Sequence, residues 1–152
     1  SDLKSHDFFK SLARPINSTL RAAVAESGLT GPVEIRVPPN PHLSRVLRLA
    51  ASGMASLVGF TVDEIEDIKI AVSEVLIALI EHGAGKSVDL LFEIDEHSFR
   101  LRGRTIVDSF DLNHPDLLLC RAVLTEICAS HKIDLVENQA HIQAEVTHTS
   151  IE

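Results

Sequence analysis

The chain has 152 residues, of which 45% are hydrophobic, enough for one domain with a sizeable core but too few to expect two. Its formal net charge of −8 and the lack of any block of Lys and Arg argue against direct nucleic-acid binding, which needs clustered cations. No apolar run has the length of a membrane span and no basic-then-apolar segment opens the chain, so we expect a cytoplasmic protein without a membrane partner.

Residues 1–31 predict an N-terminal helical extension. Apolar side chains recur every three or four positions from Ser5 to Ser27, as in an amphipathic helix, or in two shorter helices because Pro15 interrupts the run. The stripe consists of Phe8, Phe9, Leu12, Ile16, Leu20, Ala23 and Val24. We expect this extension to pack outside the core, where it is a candidate contact with a second subunit.

A strand and two helices are predicted next. Alternation of apolar and polar residues indicates a half-buried strand over 33–37. A helix follows from about Pro41 to Val58, with a predicted core face of Leu43, Val46, Leu47, Ala50, Met54 and Leu57. The next helix, 61–83, is apolar on almost every side and is therefore predicted to be the centre of the fold. Thr61 and Glu64 are spaced as a capping box at its start.

Two β-hairpins flank one further helix in the rest of the chain. Alternating apolar residues predict strands on both sides of a turn at 95–97, and again around a turn at Asn138-Gln139. Between the hairpins, Pro115 opens a helix to about Ser130 with a predicted face of Leu118, Leu119, Ala122, Val123, Glu126 and Ile127. We expect an α+β fold, a two-layer sandwich with a mixed, mostly antiparallel sheet and helices on one face.

The cysteines and histidines give no sign of a disulfide or a metal site. Cys120 and Cys128 fall eight residues apart in one predicted helix, so about 12 Å along its axis separates them and they cannot pair. We expect them to be buried thiols. The eight histidines are scattered singly, without a pair at i, i+4, so we expect no metal ligands among them.

Glu74 is the one charge in the most apolar stretch of the central helix, and it has two interpretations. Among isoleucines the carboxylate would be desolvated and its pKa raised, which suits a general base. Alternatively, Asp67, Glu74 and Glu81 stand seven residues apart and form a narrow polar stripe that faces solvent. Periodicity alone favours the solvated stripe. The following Gly83–Ser87 segment imitates part of a phosphate-binding loop, but it follows a helix, so we interpret it as a capping turn.

The run from Asp67 to Glu74, followed by His82, resembles the signature helix of the anti-sigma-factor serine kinases in the GHKL, or Bergerat-fold, histidine-kinase-like ATPase superfamily. The resemblance covers about residues 32–148 and is specific in this helix. It implies that Glu74 stands where the family's catalytic base activates a hydroxyl or water. The family's magnesium-binding asparagine, four residues later, is replaced by Ala78, which offers no oxygen to Mg²⁺.

Two other parts of the family's nucleotide site also differ here. The aspartate that accepts from the adenine amino group falls on Thr105, or on Asp108 in a shifted alignment in which Phe110 and Leu112 replace the glycines. The glycine-rich lid is missing, since no glycine lies between Asp108 and Cys120 to adopt the turns that surround phosphates. The resemblance therefore implies a degenerate nucleotide site, with Glu74 a remnant and no ATP, magnesium or other cofactor expected.

By this resemblance, residues 32–148 are expected to form a protein-binding regulator similar to an anti-sigma factor, without kinase activity. Its expected partners are a sigma factor and an anti-anti-sigma-like antagonist protein, together with a second copy of the chain. One alternative is an active or weak ATP-dependent serine kinase that uses ATP and Mg²⁺. Another is a dimerisation or scaffold module that associates through the N-terminal stripe.

Overall fold

A computed structural model of the chain describes residues 31–149, so the predicted N-terminal extension and its apolar stripe lie outside the described residues. These residues form five β-strands and three α-helices. The elements are β1 (Val33–Val37), a 3-10 turn (Pro41–Leu43), α1 (Ser44–Val58), α2 (Val62–His82), β2 (Val88–Ile94), β3 (Ser98–Ile106), α3 (Pro115–Ile127), β4 (Ser130–Val136) and β5 (Gln139–Thr147). None of the helices in this range combines the length and the apolarity that a membrane crossing requires.

The sheet confirms the predicted α+β fold. Its strand order is β1-β2-β3-β5-β4, which puts β3 at the centre, where Leu101 lies opposite Phe92 of β2 and Ala144 of β5. The sheet was expected to be mixed, but every strand pair within residues 31–149 is antiparallel. Inward-facing residues alternate with outward-facing ones as predicted, so one face is apolar and covered by the helices.

The central helix α2 packs closely on the middle of the sheet at Gly103. A Cβ added to Gly103 would come within 2.7 Å of Leu79 Cδ1 and 2.8 Å of Val75 Cγ1. Only a residue without a side chain allows the helix to approach β3 this closely. The predicted central position of α2 is confirmed, because Ile68, Val72, Val75, Leu76 and Leu79 are all buried and Ile65 is partly buried against the core.

The start of α2 is fixed by the predicted capping box. Thr61 Oγ1 accepts from the Glu64 amide at 3.2 Å, and Glu64 Oε1 accepts from the Thr61 amide at 2.7 Å. The end of β5 joins this cap, since His148 Nδ1 lies 2.7 Å from Glu64 Oε1 and the Thr149 amide donates to Glu64 Oε2 at 2.6 Å. The His148 ring also stacks on Phe60, with centroids 4.6 Å apart. The start of α2 and the C-terminal end of the described residues therefore meet at one carboxylate.

The predicted faces of the two outer helices are partly wrong. In α1, Val46 is 52% exposed and Leu57 is 40% exposed, whereas the buried side chains are those of Ser44, Leu47, Ala51, Ala55 and Val58. In α3, Leu118 and Leu119 are exposed, and the buried side chains are those of Leu117, Cys120 and Leu124. Both helices carry apolar residues on several sides, so periodicity could not identify the side that packs on α2.

Two predicted boundaries also need correction. Helix α3 ends at Ile127, because Cys128 is extended and the chain enters β4 at Ser130. Cys120 and Cys128 therefore do not share one helix, although both are free thiols as expected. The last hairpin turns at Glu137-Asn138, one residue earlier than predicted, because Glu137 adopts the left-handed conformation with φ of 56°. The first change shortens α3, the second moves the turn by one residue, and neither alters the order of elements.

Candidate functional site

Glu74, Ala78 and His82 lie on one side of α2, because successive members are four residues apart. Glu74 is partly buried, and this desolvation raises the pKa of its carboxyl, with repulsion from Glu81 adding to the effect. Asp67 is also partly buried, whereas Glu81 is exposed, so the three acids of the predicted stripe differ in their contact with solvent. Glu74 is therefore a partly desolvated carboxylate.

Ala78, the residue at the family's asparagine position, is buried with 6% of its surface exposed. Its methyl group belongs to the hydrophobic core that α2 shares with the sheet. Magnesium needs oxygen ligands, and this position offers none beyond a backbone carbonyl that the helix uses. Ala78 is therefore an apolar part of the core and offers no side-chain ligand to a metal ion.

Thr105 and Asp108 are the two candidates for the adenine-binding position. They differ in burial and in their place relative to β3. Thr105 lies near the end of β3 and is buried, and its hydroxyl donates to the Ser87 carbonyl at 3.0 Å. Its Cγ2 would be 3.1 Å from a Cβ on Gly83, so it packs tightly under the turn that follows α2. Asp108 lies just beyond β3 and is exposed. Asp108 therefore does not occupy the buried position at the end of β3 that Thr105 fills.

The Gly83–Ser87 segment is a helix-capping turn, as predicted. Gly83 follows the last helical residue in an extended conformation, and Gly85 is left-handed with φ of 73°. The Ala84 amide donates to the Ile106 carbonyl at 2.9 Å, which attaches the turn to the end of β3. That amide is therefore not free to bind a phosphate.

The loop between β3 and α3 is the segment in which the resemblance would place a glycine-rich lid. Phe110 packs against the hydrophobic core, and its ring meets the His82 ring edge-on with centroids 6.2 Å apart. Asp111 closes a turn by accepting from the Asn113 amide at 2.9 Å through its side chain. His114 then caps α3, because its Nδ1 accepts from the Asp116 amide at 3.1 Å. The loop is held by side chains and not by glycine turns.

A cluster that the sequence did not predict lies where this loop meets α2. His82, His114 and Asp116 each contribute a nitrogen or oxygen atom, and the three atoms lie within 4.8 Å of one another. The His82 and His114 rings meet at 67° with centroids 4.8 Å apart. His82 Nε2 is buried and has no hydrogen-bond partner among residues 31–149. The two histidines are 32 positions apart, so no local spacing could have connected them.

The thiols near this site are protected by the fold. Burial is the main cause that raises the pKa of Cys120 to about 11, and the charge of Glu74 adds to the shift. Burial is also the main cause that raises the pKa of Cys128 to about 12, and the negative charge of Asp67 raises it further. Because the thiolate is the nucleophile, neither cysteine is suited to nucleophilic chemistry at neutral pH.

The outer face of the sheet carries paired charges. Arg36 Nε donates to Asp89 Oδ1 at 2.7 Å, and Arg104 approaches the same carboxylate at 3.3 Å. The hydrogen bond from Arg36 is the main cause that lowers the pKa of Asp89. On the same face Arg100 pairs with Asp95 at 2.9 Å. The outer face therefore carries charges of both signs, with Asp89 shared between Arg36 and Arg104.

Comparisons with known proteins identify bacterial serine kinases as relatives. The chain is 36% identical over 85 residues to the serine-protein kinase RsbW of Bacillus subtilis, a match that covers 53% of each chain. It is also 36% identical over 84 residues to RsbW of Staphylococcus aureus, covering 52% of this chain and 53% of the relative. No family model matches the chain. The chain spans about half the length of the curated relatives it matches.

Solved structures show which known proteins share this fold. A Mycobacterium tuberculosis chain comprising RsbU and RsbW domains superposes with a TM-score of 0.60 at 16% identity, over 80% of this chain and 34% of that chain. A chain of the SiaB-SiaC complex from Pseudomonas aeruginosa superposes with a TM-score of 0.55 at 10% identity, over 88% of this chain and 99% of that chain. The chain is therefore a homologue of the RsbW-type serine-protein kinases over about half its length, and it has their GHKL-type fold.

Proposed function

We propose that this domain is a protein-binding regulator of the anti-sigma-factor type that lacks kinase activity. The observation that carries the proposal is Ala78. It stands at the position of the magnesium-binding asparagine implied by the resemblance, and its methyl group is buried in the core. A nucleotide triphosphate binds such a site together with Mg²⁺, so the loss of the only side-chain oxygen there removes a central interaction.

The adenine and phosphate regions support the same proposal. Thr105 is buried and its hydroxyl is engaged by the Ser87 carbonyl, so it does not replace an aspartate that accepts from adenine. The loop from 107 to 114 has no glycine, and Phe110 fills the space beside His82. Three separate parts of the nucleotide site are altered, and each would have to be rebuilt for tight ATP binding.

The partners we propose are a sigma factor and an anti-anti-sigma-like antagonist protein. The relatives are named serine-protein kinases, and one structural neighbour is a component of a two-protein complex. The chain's net charge of −8 suits a partner with basic patches, because opposite charges speed association and exclude like-charged competitors. Without phosphorylation of the antagonist, control would depend on partner abundance, on modification of a partner or on the N-terminal extension. A cytoplasmic location is part of this proposal.

Isothermal titration of the full chain with Mg-ATP tests the loss of nucleotide binding. We expect no heat of binding, whereas the Bacillus subtilis relative, titrated under the same conditions as a positive control, is expected to bind. Micromolar affinity of this chain for Mg-ATP would refute the proposed inactivity. The variant Ala78→Asn is expected to remain inactive, since the adenine and lid regions stay altered.

Affinity capture from an extract of the source cells tests the partner class. We expect a sigma factor to be recovered with the full chain and to be identified by mass spectrometry. Its binding should weaken as salt increases, because a contact between opposite charges is screened. Recovery of only metabolic enzymes would argue against an anti-sigma-factor role.

An active serine kinase remains the second candidate, and Glu74 is the observation that favours it. The carboxylate at the family's base position is present, partly buried and raised in pKa by desolvation, as a general base requires. If Mg-ATP binds, Glu74→Ala should abolish phosphate transfer to an antagonist protein while leaving the circular dichroism spectrum unchanged. Turnover that survives Glu74→Ala would exclude Glu74 as the base.

A further inference from the structure

We propose that His82, His114 and Asp116 form a binding site for a divalent transition-metal ion, with Zn²⁺ as the ion that fits best. Two imidazoles and one carboxylate are a frequent set of protein ligands for a zinc ion that keeps one position open for water. Mg²⁺ does not fit, because it requires oxygen ligands. The site uses no nucleotide, so it is independent of the function proposed above, and it departs from the expectation of no metal based on sequence spacing.

The distances are close to those of a metal site. The three ligand atoms lie within 4.8 Å of one another, whereas the ligand atoms of a tetrahedral zinc site lie about 3.4 Å apart. Rotation of the two more mobile side chains can close this difference. The side chain of Asp116 is 62% exposed and that of His114 is 44% exposed, so both have room to rotate. The His82 ring, at the end of α2, packs edge-on against Phe110.

The unpaired nitrogen of His82 is the second observation. Its Nε2 is buried and finds no hydrogen-bond partner among residues 31–149, although a buried polar atom without a partner is costly. Edge-on contacts with Phe110 and His114 accommodate the ring but leave this nitrogen unsatisfied. A metal ion between His82 and His114 would engage the lone pair of this imidazole.

The end of α2 attracts a cation to this site, and the charge of Asp116 offsets the repulsion expected from the start of α3. His82 is the last residue of α2, and the C-terminal end of a helix carries partial negative charge that attracts cations. Asp116 lies in the first turn of α3, whose N-terminal end is partially positive, and its carboxylate offsets that charge. The site lies eight residues beyond Glu74, about 12 Å along the helix, so it is separate from the family's base position.

Metal binding would change the cap of α3. His114 Nδ1 now accepts from the Asp116 amide at 3.1 Å, so the neutral ring carries its proton on Nε2. Coordination through either nitrogen ends this hydrogen bond, since a neutral imidazole has a single in-plane lone pair. The ion would then hold the loop between β3 and α3 against the end of α2, in place of the capping bond.

Titration of the full chain with ZnCl₂ tests the site, with the affinity tag removed and prior metal stripped by EDTA. The site variants are His114→Asn, which keeps an N-cap side chain, and Asp116→Asn, which keeps the shape of the carboxylate. The matched control is His97→Asn, because the His97 side chain is 81% exposed in the β2–β3 turn. Co²⁺ absorbance in the visible range provides a second readout, since it reports ligands bound directly to the ion.

We expect one Zn²⁺ per chain in the wild type and in His97→Asn, no binding of Mg²⁺, and affinity lowered by about tenfold or more in each site variant. Circular dichroism should show that the variants keep their fold. Absence of Zn²⁺ binding by the wild type would overturn the proposal, and so would equal affinity in His114→Asn, Asp116→Asn and His97→Asn. If one site variant fails to fold, the other decides the question by the same comparison.

Discussion

Glu64 is predicted to be the most sensitive charged residue for the stability of this domain. It caps α2 through the Thr61 amide and also accepts from the Thr149 amide and from His148 Nδ1. Only 12% of its side chain is exposed, and 7% of that of His148. The variant Glu64→Gln keeps the size of the side chain and one oxygen that can complete the capping box, but it removes the charge and one acceptor.

The pKa of Glu64 sets the magnitude of this effect. Burial by itself would raise the pKa, but hydrogen bonds from Thr61, Thr149 and His148 outweigh it and lower the pKa from 4.5 to about 2. A shift of this size corresponds to about 3 kcal/mol in favour of the folded state. Because glutamine retains part of the network, we expect Glu64→Gln to lower the free energy of unfolding by about 1–2 kcal/mol.

The pH dependence follows from the direction of the shift. A lowered pKa stabilises the fold fully above the unfolded value of 4.5, and this contribution is lost as pH falls toward the folded value of about 2. Urea denaturation of the wild type and of Glu64→Gln should therefore differ at about pH 7, and the difference should shrink below pH 4.5 and vanish only as pH falls to about 2. Equal stability at neutral pH, or a difference that stays constant down to acid pH, would refute the role given to Glu64.

Three further predictions concern the core and its edges. Gly103→Ala should lower the free energy of unfolding by about 1–3 kcal/mol in urea denaturation, because the added Cβ would collide with α2, and unchanged stability would contradict the close packing. Cys120 and Cys128 should react slowly with iodoacetamide near neutral pH in the folded protein and quickly in urea, because burial raises both pKa values. Rapid labelling of the native protein would show that the thiols are accessible. On α3, Leu124→Ala should lower the free energy of unfolding by about 2–5 kcal/mol in urea denaturation, because Leu124 is fully buried. Leu119→Ala should change it by less than about 0.5 kcal/mol, because Leu119 is exposed. The reverse order would support the face predicted from sequence.

Features that depend on neighbouring residues were predicted correctly from the sequence. The capping box of α2 joins residues three positions apart, and the alternation that marks a strand has a period of two, so both are local signals. The apolar content of α2 from Ile68 to Leu79 likewise predicted the helix at the centre of the core. The order of elements and the antiparallel hairpins followed from the same local patterns.

The packed sides of the outer helices required the tertiary structure. Helix α3 has apolar side chains on several sides, and the sequence alone favoured the side with Leu118 and Leu119, which is exposed. Periodicity measures how hydrophobic a side is, whereas burial depends on which side α2 and the sheet can reach. Small residues such as Ala51 and Ala55 of α1 are buried because they permit close approach, which a hydrophobicity pattern does not reward.

By itself, the sequence supplied the resemblance that aligns Glu74 with the family's base and Ala78 with its asparagine, and that leaves Thr105 and Asp108 as candidates for the adenine position. Only the tertiary structure decided their surroundings: Glu74 is partly buried, Ala78 lies in the core, and the Thr105 hydroxyl donates to the Ser87 carbonyl. It also brought His82 next to His114 from 32 positions away. Local spacing records contacts within one helix or hairpin, whereas a site between two helices arises from the packing of the whole domain.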